Sequence, residues 1–180
     1  MVSRAIDALN ARVGQWASWL VLVAVLVSAG NALVRYLFDT SSNAWLEAQW
    51  YLFAAVFLLC AGYTLLRGEH VRIDIVASRF SPRAQAWIEL FGTLVFLMPM
   101  ALLILRDAWP MLVTSFQQHE VSADAGGLLR WPAKALIPLG FLLLVLQGIS
   151  EAIKRIAFLA GAVPEPPRPE GPQGHAGEAA

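Results

Sequence analysis

The sequence predicts an all-α integral membrane protein with four transmembrane helices and both chain termini in the cytoplasm. Three observations support this fold class. Hydrophobic residues make up 58% of the 180 residues, well above the roughly 45–50% that is usual for a soluble domain. These residues are concentrated in four long blocks instead of alternating with polar residues. Lysine and arginine are also divided unequally between the two sides of those blocks.

The first block predicts a spanning helix over residues 13–37, preceded by a short polar segment, residues 1–12. Val13 to Val34 contains no charged side chain, and a helix that crosses the hydrocarbon core of a bilayer needs roughly 20 apolar residues. A signal peptide has a shorter apolar region followed by a cleavage site of small residues. The block is longer than that and leads into Arg35, so it is interpreted as a retained helix.

The second block predicts a helix over residues 45–66, with Ser41, Ser42 or Asn43 as its cap. Trp45, Trp50 and Tyr51 would lie in the aromatic belt at the membrane interface. After this helix, charged and apolar residues alternate from Glu69 to Asp74, which indicates a short extended or interfacial segment.

The third and fourth blocks predict helices over residues 83–105 and 133–157. Ser81 followed by Pro82 is typical of a helix start, and Pro99 is expected to kink the third helix. The polar interval between the two helices would contain a short interfacial helix after Pro110 and a turn at Asp124–Gly127. Residues 159–180 are rich in proline and glycine and predict a disordered cytoplasmic tail.

The distribution of positive charge predicts the orientation. An even number of spans puts both termini on one side, and nine of the 13 lysine and arginine residues would lie there. The positive-inside rule places that side in the cytoplasm. The four on the other side are Arg35, Arg106, Arg130 and Lys134.

Several function classes fit the sequence poorly. A haem anchor needs histidine ligands inside the bundle, but the three histidines fall in loops and the tail. An intramembrane protease needs acidic pairs, or a serine with a base, at membrane depth, and neither arrangement is visible. The net charge of zero gives no basic field for nucleic acid. We therefore expect a non-enzymatic protein without a cofactor or bound metal. An accessory or anchor subunit of another complex, such as a respiratory enzyme, and a small autonomous transporter remain alternatives.

Four motifs, in the same order and between correctly spaced helices, resemble one known family. They are Asn31-x-x-x-Arg35-Tyr36, Trp45-Leu46-Glu47, Glu69-His70-Val71-Arg72-Ile73-Asp74, and Trp131-Pro132 followed by Ile137-Pro138-Leu139-Gly140-Phe141. Over roughly Val13 to Phe158 the chain is similar to the small membrane subunit of tripartite ATP-independent periplasmic (TRAP) transporters, the DctQ-like family.

The resemblance implies a multi-pass protein of the bacterial inner membrane and two protein partners. In this family a periplasmic substrate-binding protein delivers a solute to a large permease subunit, which moves it using an ion gradient. The small subunit is expected to brace the large subunit, to help dock the binding protein and to contact membrane lipids. The candidate subunit-interface residues are Arg35, Glu47, His70, Arg72, Asp74 and Trp131. Arg35 and Glu47 flank a short turn, and each is expected to pair either with the other or with the large subunit. Trp131 is interpreted first as a belt residue at a helix start.

Overall fold

Four long helices run through residues 2–40, 42–68 and 80–162, the parts of the chain that the computed structural model describes. They are α1 (Val2–Phe38), α2 (Asn43–Arg67), α3 (Pro82–Gln117) and α4 (Trp131–Leu159). Each helix is long and apolar enough to cross a membrane, which confirms the predicted four-span fold. Within the described residues, strand-like pairing is confined to one antiparallel bridge between Val121 and Leu129.

The local signals at the helix starts are confirmed. The Ser42 side chain accepts a hydrogen bond from the backbone N–H of Ala44 and so caps α2. Ser81 caps α3 through the N–H of Ala84, and Pro82 occupies the first turn, where its missing N–H leaves no bond unmade. Trp131 is the first residue of α4.

Two helices are longer than the sequence predicted. Helix α1 begins at Val2 instead of Val13, and its 37 residues span about 55 Å against a hydrocarbon core of about 30 Å. Helix α3 continues through Pro110 to Gln117, so the prediction of a separate interfacial helix there was wrong. Charges such as Arg106 and Asp107 mark where a helix leaves the apolar core, but they do not interrupt its backbone hydrogen bonds.

The predicted irregularity at Pro99 takes the form of a π-helical turn over Thr93–Leu97. Proline has no N–H to offer the carbonyl four residues earlier, and the backbone accommodates this by widening. The Met98 N–H donates to the carbonyl of Thr93, five residues back. Leu97 and Met98 then pack against the core cluster of Ala101, Leu144 and Val145, so the widened turn contributes to the core.

Helix α4 lies at the centre of the bundle and packs on the other three helices. In its most apolar stretch 44% of the residues are buried, against 17% or less in α1, α2 and α3. Its contact with α2 is close at Gly140, where a Cβ atom would stand 2.6 Å from the Leu58 carbonyl oxygen. A central helix with three partly covered neighbours leaves large apolar side chains exposed on the outer surface.

Candidate functional site

The polar contacts of the bundle are concentrated at its two ends. We call the end with the start of α1 and the end of α4 the termini end. The opposite end carries the α1–α2 turn and the loop between α3 and α4, and we call it the hairpin end. The α3–α4 loop, residues 118–130, is the hairpin loop: Val121 bridges to Leu129, and the Gly127 N–H closes a turn onto the Asp124 carbonyl. The predicted turn at Asp124–Gly127 is therefore confirmed.

Glu47, in the second turn of α2, holds the hairpin loop against the bundle. Glu47 is only 6% exposed, and its Oε2 accepts a 2.6 Å hydrogen bond from the backbone N–H of Leu128. Two further contacts from α2 support the loop. The Asn43 amide donates to the Ala125 carbonyl at 3.0 Å, and the Tyr51 hydroxyl donates to the Leu129 carbonyl at 3.1 Å. Three side chains of one helix thus fix the position of the loop.

Gly127 allows the loop to approach Glu47 this closely. A Cβ atom at position 127 would stand 2.7 Å from the Glu47 Oε1 and 2.9 Å from the Ser122 hydroxyl oxygen. Side-chain carbon atoms essentially never come so near to oxygen atoms. The carboxylate of α2 and the backbone of the loop therefore fit together only with glycine at this position.

A second acidic residue of the hairpin loop, Glu120, ties it to α4. The Lys134 ammonium donates to Glu120 Oε2, and the Arg130 guanidinium lies 3.8 Å from Oε1. The hydrogen bond from Lys134 holds the pKa of the Glu120 carboxyl below its usual value, and the charge of Arg130 lowers it further. Glu120 is consequently ionised across the physiological pH range.

The expected pair between Arg35 and Glu47 is not formed, so that version of the prediction was wrong. Glu47 lies under the hairpin loop, and its carboxylate is occupied by Leu128. Arg35 lies at the exposed end of α1, in an open groove shared with α2, and makes no ion pair with another described residue. The two residues are near in sequence, but the loop between α3 and α4 offers Glu47 a part-buried N–H donor at 2.6 Å.

The remaining candidate interface residues are distributed differently. His70, Arg72 and Asp74 lie outside the described residues. Trp131 is partly buried, and its ring meets Phe116 edge to face at a centroid distance of 5.4 Å. With Leu112 and Ala135 it lines a shallow apolar groove between α3 and α4 at the hairpin end. This position agrees with the predicted helix start, and the contact with a partner remains a prediction.

At the termini end a buried polar network joins α1 to α4, and the sequence analysis did not identify it. Asn10, Gln147 and Ser150 are each 0% exposed. The Asn10 amide donates to the Gln147 side-chain oxygen at 3.0 Å, and the Gln147 amide donates to Asp7 at 2.9 Å. The Ser150 hydroxyl donates to the same Asp7 oxygen at 2.8 Å. Because buried polar groups are costly when unpaired, this network fixes how α1 lies along α4.

Ion pairs extend this network to the surface of the termini end. Lys154 lies 3.2 Å from Asp7, and Arg155 lies 2.7 Å from Glu89. The first pair joins α4 to α1, and the second joins α4 to α3. The signal for this network was present in the sequence as Gln147, a lone amide inside the apolar run of α4. Its partner Asn10 was missed because residues 1–12 were taken as a separate segment and not as part of α1.

The contacts described above hold the four helices and the hairpin loop together. Among the described residues no three histidine, cysteine, aspartate or glutamate side chains come together as metal ligands. The carboxylates of Asp7, Glu47 and Glu120 make their contacts at the two ends, with oppositely charged groups, polar side chains or backbone. The core between the ends is built from Ala101, Leu144 and Val145 with apolar neighbours.

Comparison with known families identifies the chain. The family model described as "Tripartite ATP-independent periplasmic transporters, DctQ component" matches residues 24–158, well over half of the sequence. Searches of curated proteins and of solved structures find no match. The matched range includes α2, α3 and nearly all of α4, together with the part of α1 that carries Asn31 and Arg35.

Proposed function

This chain belongs to the DctQ family, the small membrane component of TRAP transporters, and we propose that it braces the large permease subunit of an ion-gradient-driven solute importer. In this proposal it also helps to receive the periplasmic substrate-binding protein. The chain is a multi-pass protein of the inner membrane, with four helices that are apolar enough to span it. Its proposed role is structural, and solute transport requires the whole assembly.

One observation supports the bracing role above the others. Helix α2 carries a continuous stripe of large exposed apolar side chains at helical spacing: Leu46, Trp50, Phe53 and Phe57. The exposed fractions of Trp50 and Phe57 are 67% and 80%. Aromatic side chains bury a large area at low entropic cost and are typical anchors of protein interfaces. We propose this stripe as the contact with the large subunit.

The hairpin end supports the docking role. In the predicted orientation it faces the periplasm, where a soluble binding protein would approach. Its loop is held by Asn43, Glu47 and Tyr51 of α2, so it presents a defined surface instead of a loose one. Trp131 lies beside this loop at the start of α4. We propose Trp131 and the hairpin loop as contacts for the binding protein, and His70, Arg72 and Asp74 as contacts for the large subunit.

The test is purification of the tagged full chain from its native membrane in mild detergent, with mass spectrometry of the proteins that accompany it. We expect a large permease with many helices in about equal amount. A photo-crosslinking residue at Phe57 should join the two subunits, whereas one at Phe96, 68% exposed on α3, serves as the matched control. Recovery with a redox enzyme, or as a lone bundle, would refute the proposed assembly.

A further inference from the structure

An open polar groove lies at the hairpin end, between the last turns of α1 and the first turns of α2. It is distinct from the hairpin loop and adjoins the α2 stripe proposed above, with which it shares Leu46. Its walls combine charged, amide, hydroxyl and apolar groups: Ser28, Asn31, Ala32, Arg35, Tyr36, Asp39, Leu46 and Gln49. Charged groups of both signs therefore face one shared space at the edge of the bundle.

Asn31 forms part of the groove wall and has unsatisfied hydrogen-bonding capacity. The residue is 8% exposed, and its side chain makes no hydrogen bond with another described residue. Since the Asn31 amide atoms are not enclosed by protein, they remain free to hydrogen-bond to water or to a polar ligand. The accessible edge of Asn31 opens into the groove, so a polar group placed there would satisfy it.

Arg35 and Asp39 supply the two charges of the groove. Both are exposed, and neither forms an ion pair with another described residue. Arginine binds phosphate through a planar pair of N–H donors, and a carboxylate binds a primary ammonium group. A ligand that carries one phosphate and one ammonium would match this pair of charges.

The position of the groove relative to the membrane selects the ligand. Arg35 is the first charge after the uncharged run from Val13 to Val34, so it lies where α1 leaves the hydrocarbon core. The outer surface around it is apolar: the exposed fractions of Leu33, Tyr36 and Leu37 are 61%, 88% and 67%. Acyl chains can cover this surface while the headgroup lies at the level of Arg35.

We propose that this groove binds one zwitterionic phospholipid with a primary ammonium headgroup, a phosphatidylethanolamine. The phosphate accepts hydrogen bonds from Arg35 and from the Asn31 amide, and the ammonium donates to Asp39. The charges of Arg35 and Asp39 cancel, so the groove favours this headgroup over lipids with a net negative charge. A choline headgroup has no N–H to donate to Asp39 and binds less well.

The proposal is tested by native mass spectrometry of the full chain, together with any subunit that co-purifies, after exchange into mild detergent. Phosphatidylethanolamine, phosphatidylcholine and phosphatidylglycerol of equal chain length are added separately, and the singly lipid-bound fraction is measured. We expect wild type to favour phosphatidylethanolamine. Arg35→Gln should weaken its binding about tenfold, the usual effect of losing a charge-assisted hydrogen bond. Arg106→Gln removes another exposed arginine outside the groove and should leave binding unchanged.

A second variant tests the headgroup independently. Asp39 has a φ of 49°, a conformation that asparagine adopts readily, so Asp39→Asn should fold normally. It should remove the preference for phosphatidylethanolamine over phosphatidylcholine while both lipids still bind. Three results would overturn the proposal: unchanged phosphatidylethanolamine binding in Arg35→Gln, an unchanged headgroup preference in Asp39→Asn, or loss of a protein subunit from Arg35→Gln with lipid binding intact. The last result would show that Arg35 binds a carboxylate of a partner protein.

Discussion

Glu47 shows how one carboxylate organises a loop that is far from it in sequence. The side chain lies in the second turn of α2 and accepts a hydrogen bond from the Leu128 N–H, which belongs to the loop between α3 and α4. One carboxylate therefore links α2 to the hairpin loop.

Replacement of Glu47 should release the hairpin loop without unfolding the bundle. In Glu47→Ala the Leu128 N–H loses its acceptor, and we expect its amide to exchange with solvent about tenfold faster. Glu47→Gln keeps one acceptor oxygen and should show a smaller increase. Hydrogen exchange measured in lipid nanodiscs provides the comparison. Equal exchange at Leu128 in wild type and Glu47→Ala would contradict the role assigned to this carboxylate.

Glu120 makes the hairpin loop sensitive to acid. Because the hydrogen bond from Lys134 lowers the pKa of Glu120 in the folded protein, the ionised carboxylate stabilises the loop above the usual pKa of 4.5. That stabilisation is lost as the pH falls through the lowered pKa. We expect amide protection in the loop to be greater in wild type than in Glu120→Gln at neutral pH. The difference should shrink as the pH falls below 4.5 and disappear once the pH is below the lowered pKa of Glu120. A difference that does not depend on pH would contradict the ion-pair explanation.

At the scale of the helices, the sequence predicted where each helix exists better than it predicted how long each helix is. Residue-level start signals such as Ser42 and Ser81 were confirmed because capping depends on local chemistry. The start of α1 was misplaced because its first turns are stabilised by distant groups: Asp7 and Asn10 bond to α4. No local pattern can reveal a partner that lies far away in the sequence. The Glu47–Leu128 contact, which joins residues 81 positions apart, escaped prediction for the same reason.

The bond between Asn10 and Gln147 should couple α1 to α4 energetically. Asn10→Ala and Gln147→Ala should each lower the free energy of unfolding by about 1–3 kcal/mol, since each leaves a buried partner unsatisfied. In a double-mutant cycle the two changes should be non-additive by about 1 kcal/mol, as for other polar contacts between membrane helices. Unfolding by denaturing detergent in mixed micelles measures both quantities.

Ser18→Ala is the matched control for this cycle. The Ser18 hydroxyl donates only to the carbonyls of Gly14 and Gln15 in its own helix, so its removal should change stability by less than about 0.5 kcal/mol. Additive effects of Asn10→Ala and Gln147→Ala would mean that the network does not hold the two helices together.

At the scale of the whole molecule, polar networks at both ends close a bundle whose outer surface remains apolar. The central position of α4 could not be read from composition, because all four helices are similarly apolar. The four helices differ in the fraction of residues that is buried, and that fraction is set by how they pack together. The described residues of this chain leave the large apolar side chains of α2 exposed, so lipid or a second subunit must cover them in the membrane. A small component of a larger assembly fits this distribution of polar and apolar surface.

The four-helix arrangement and the charge distribution together predict the topology. Hydrogen bonds that join the Ser150 hydroxyl to Ser3 and to the Asp7 carboxylate show that the start of α1 and the end of α4 lie at one end of the bundle. The sequence analysis assigns nine of the 13 lysine and arginine residues to the same side. Single cysteines can test this in a Cys60→Ala background by labelling spheroplasts with an impermeant maleimide. Ala125→Cys, in the hairpin loop, should react in intact spheroplasts, whereas Ala5→Cys, exposed near the start of α1, should react only after permeabilisation. The opposite pattern would preserve the fold and reverse the orientation, which would place the hairpin loop out of reach of a periplasmic binding protein. Labelling of both sites in intact spheroplasts would contradict the four-span arrangement itself, since the two positions lie at opposite ends of the bundle.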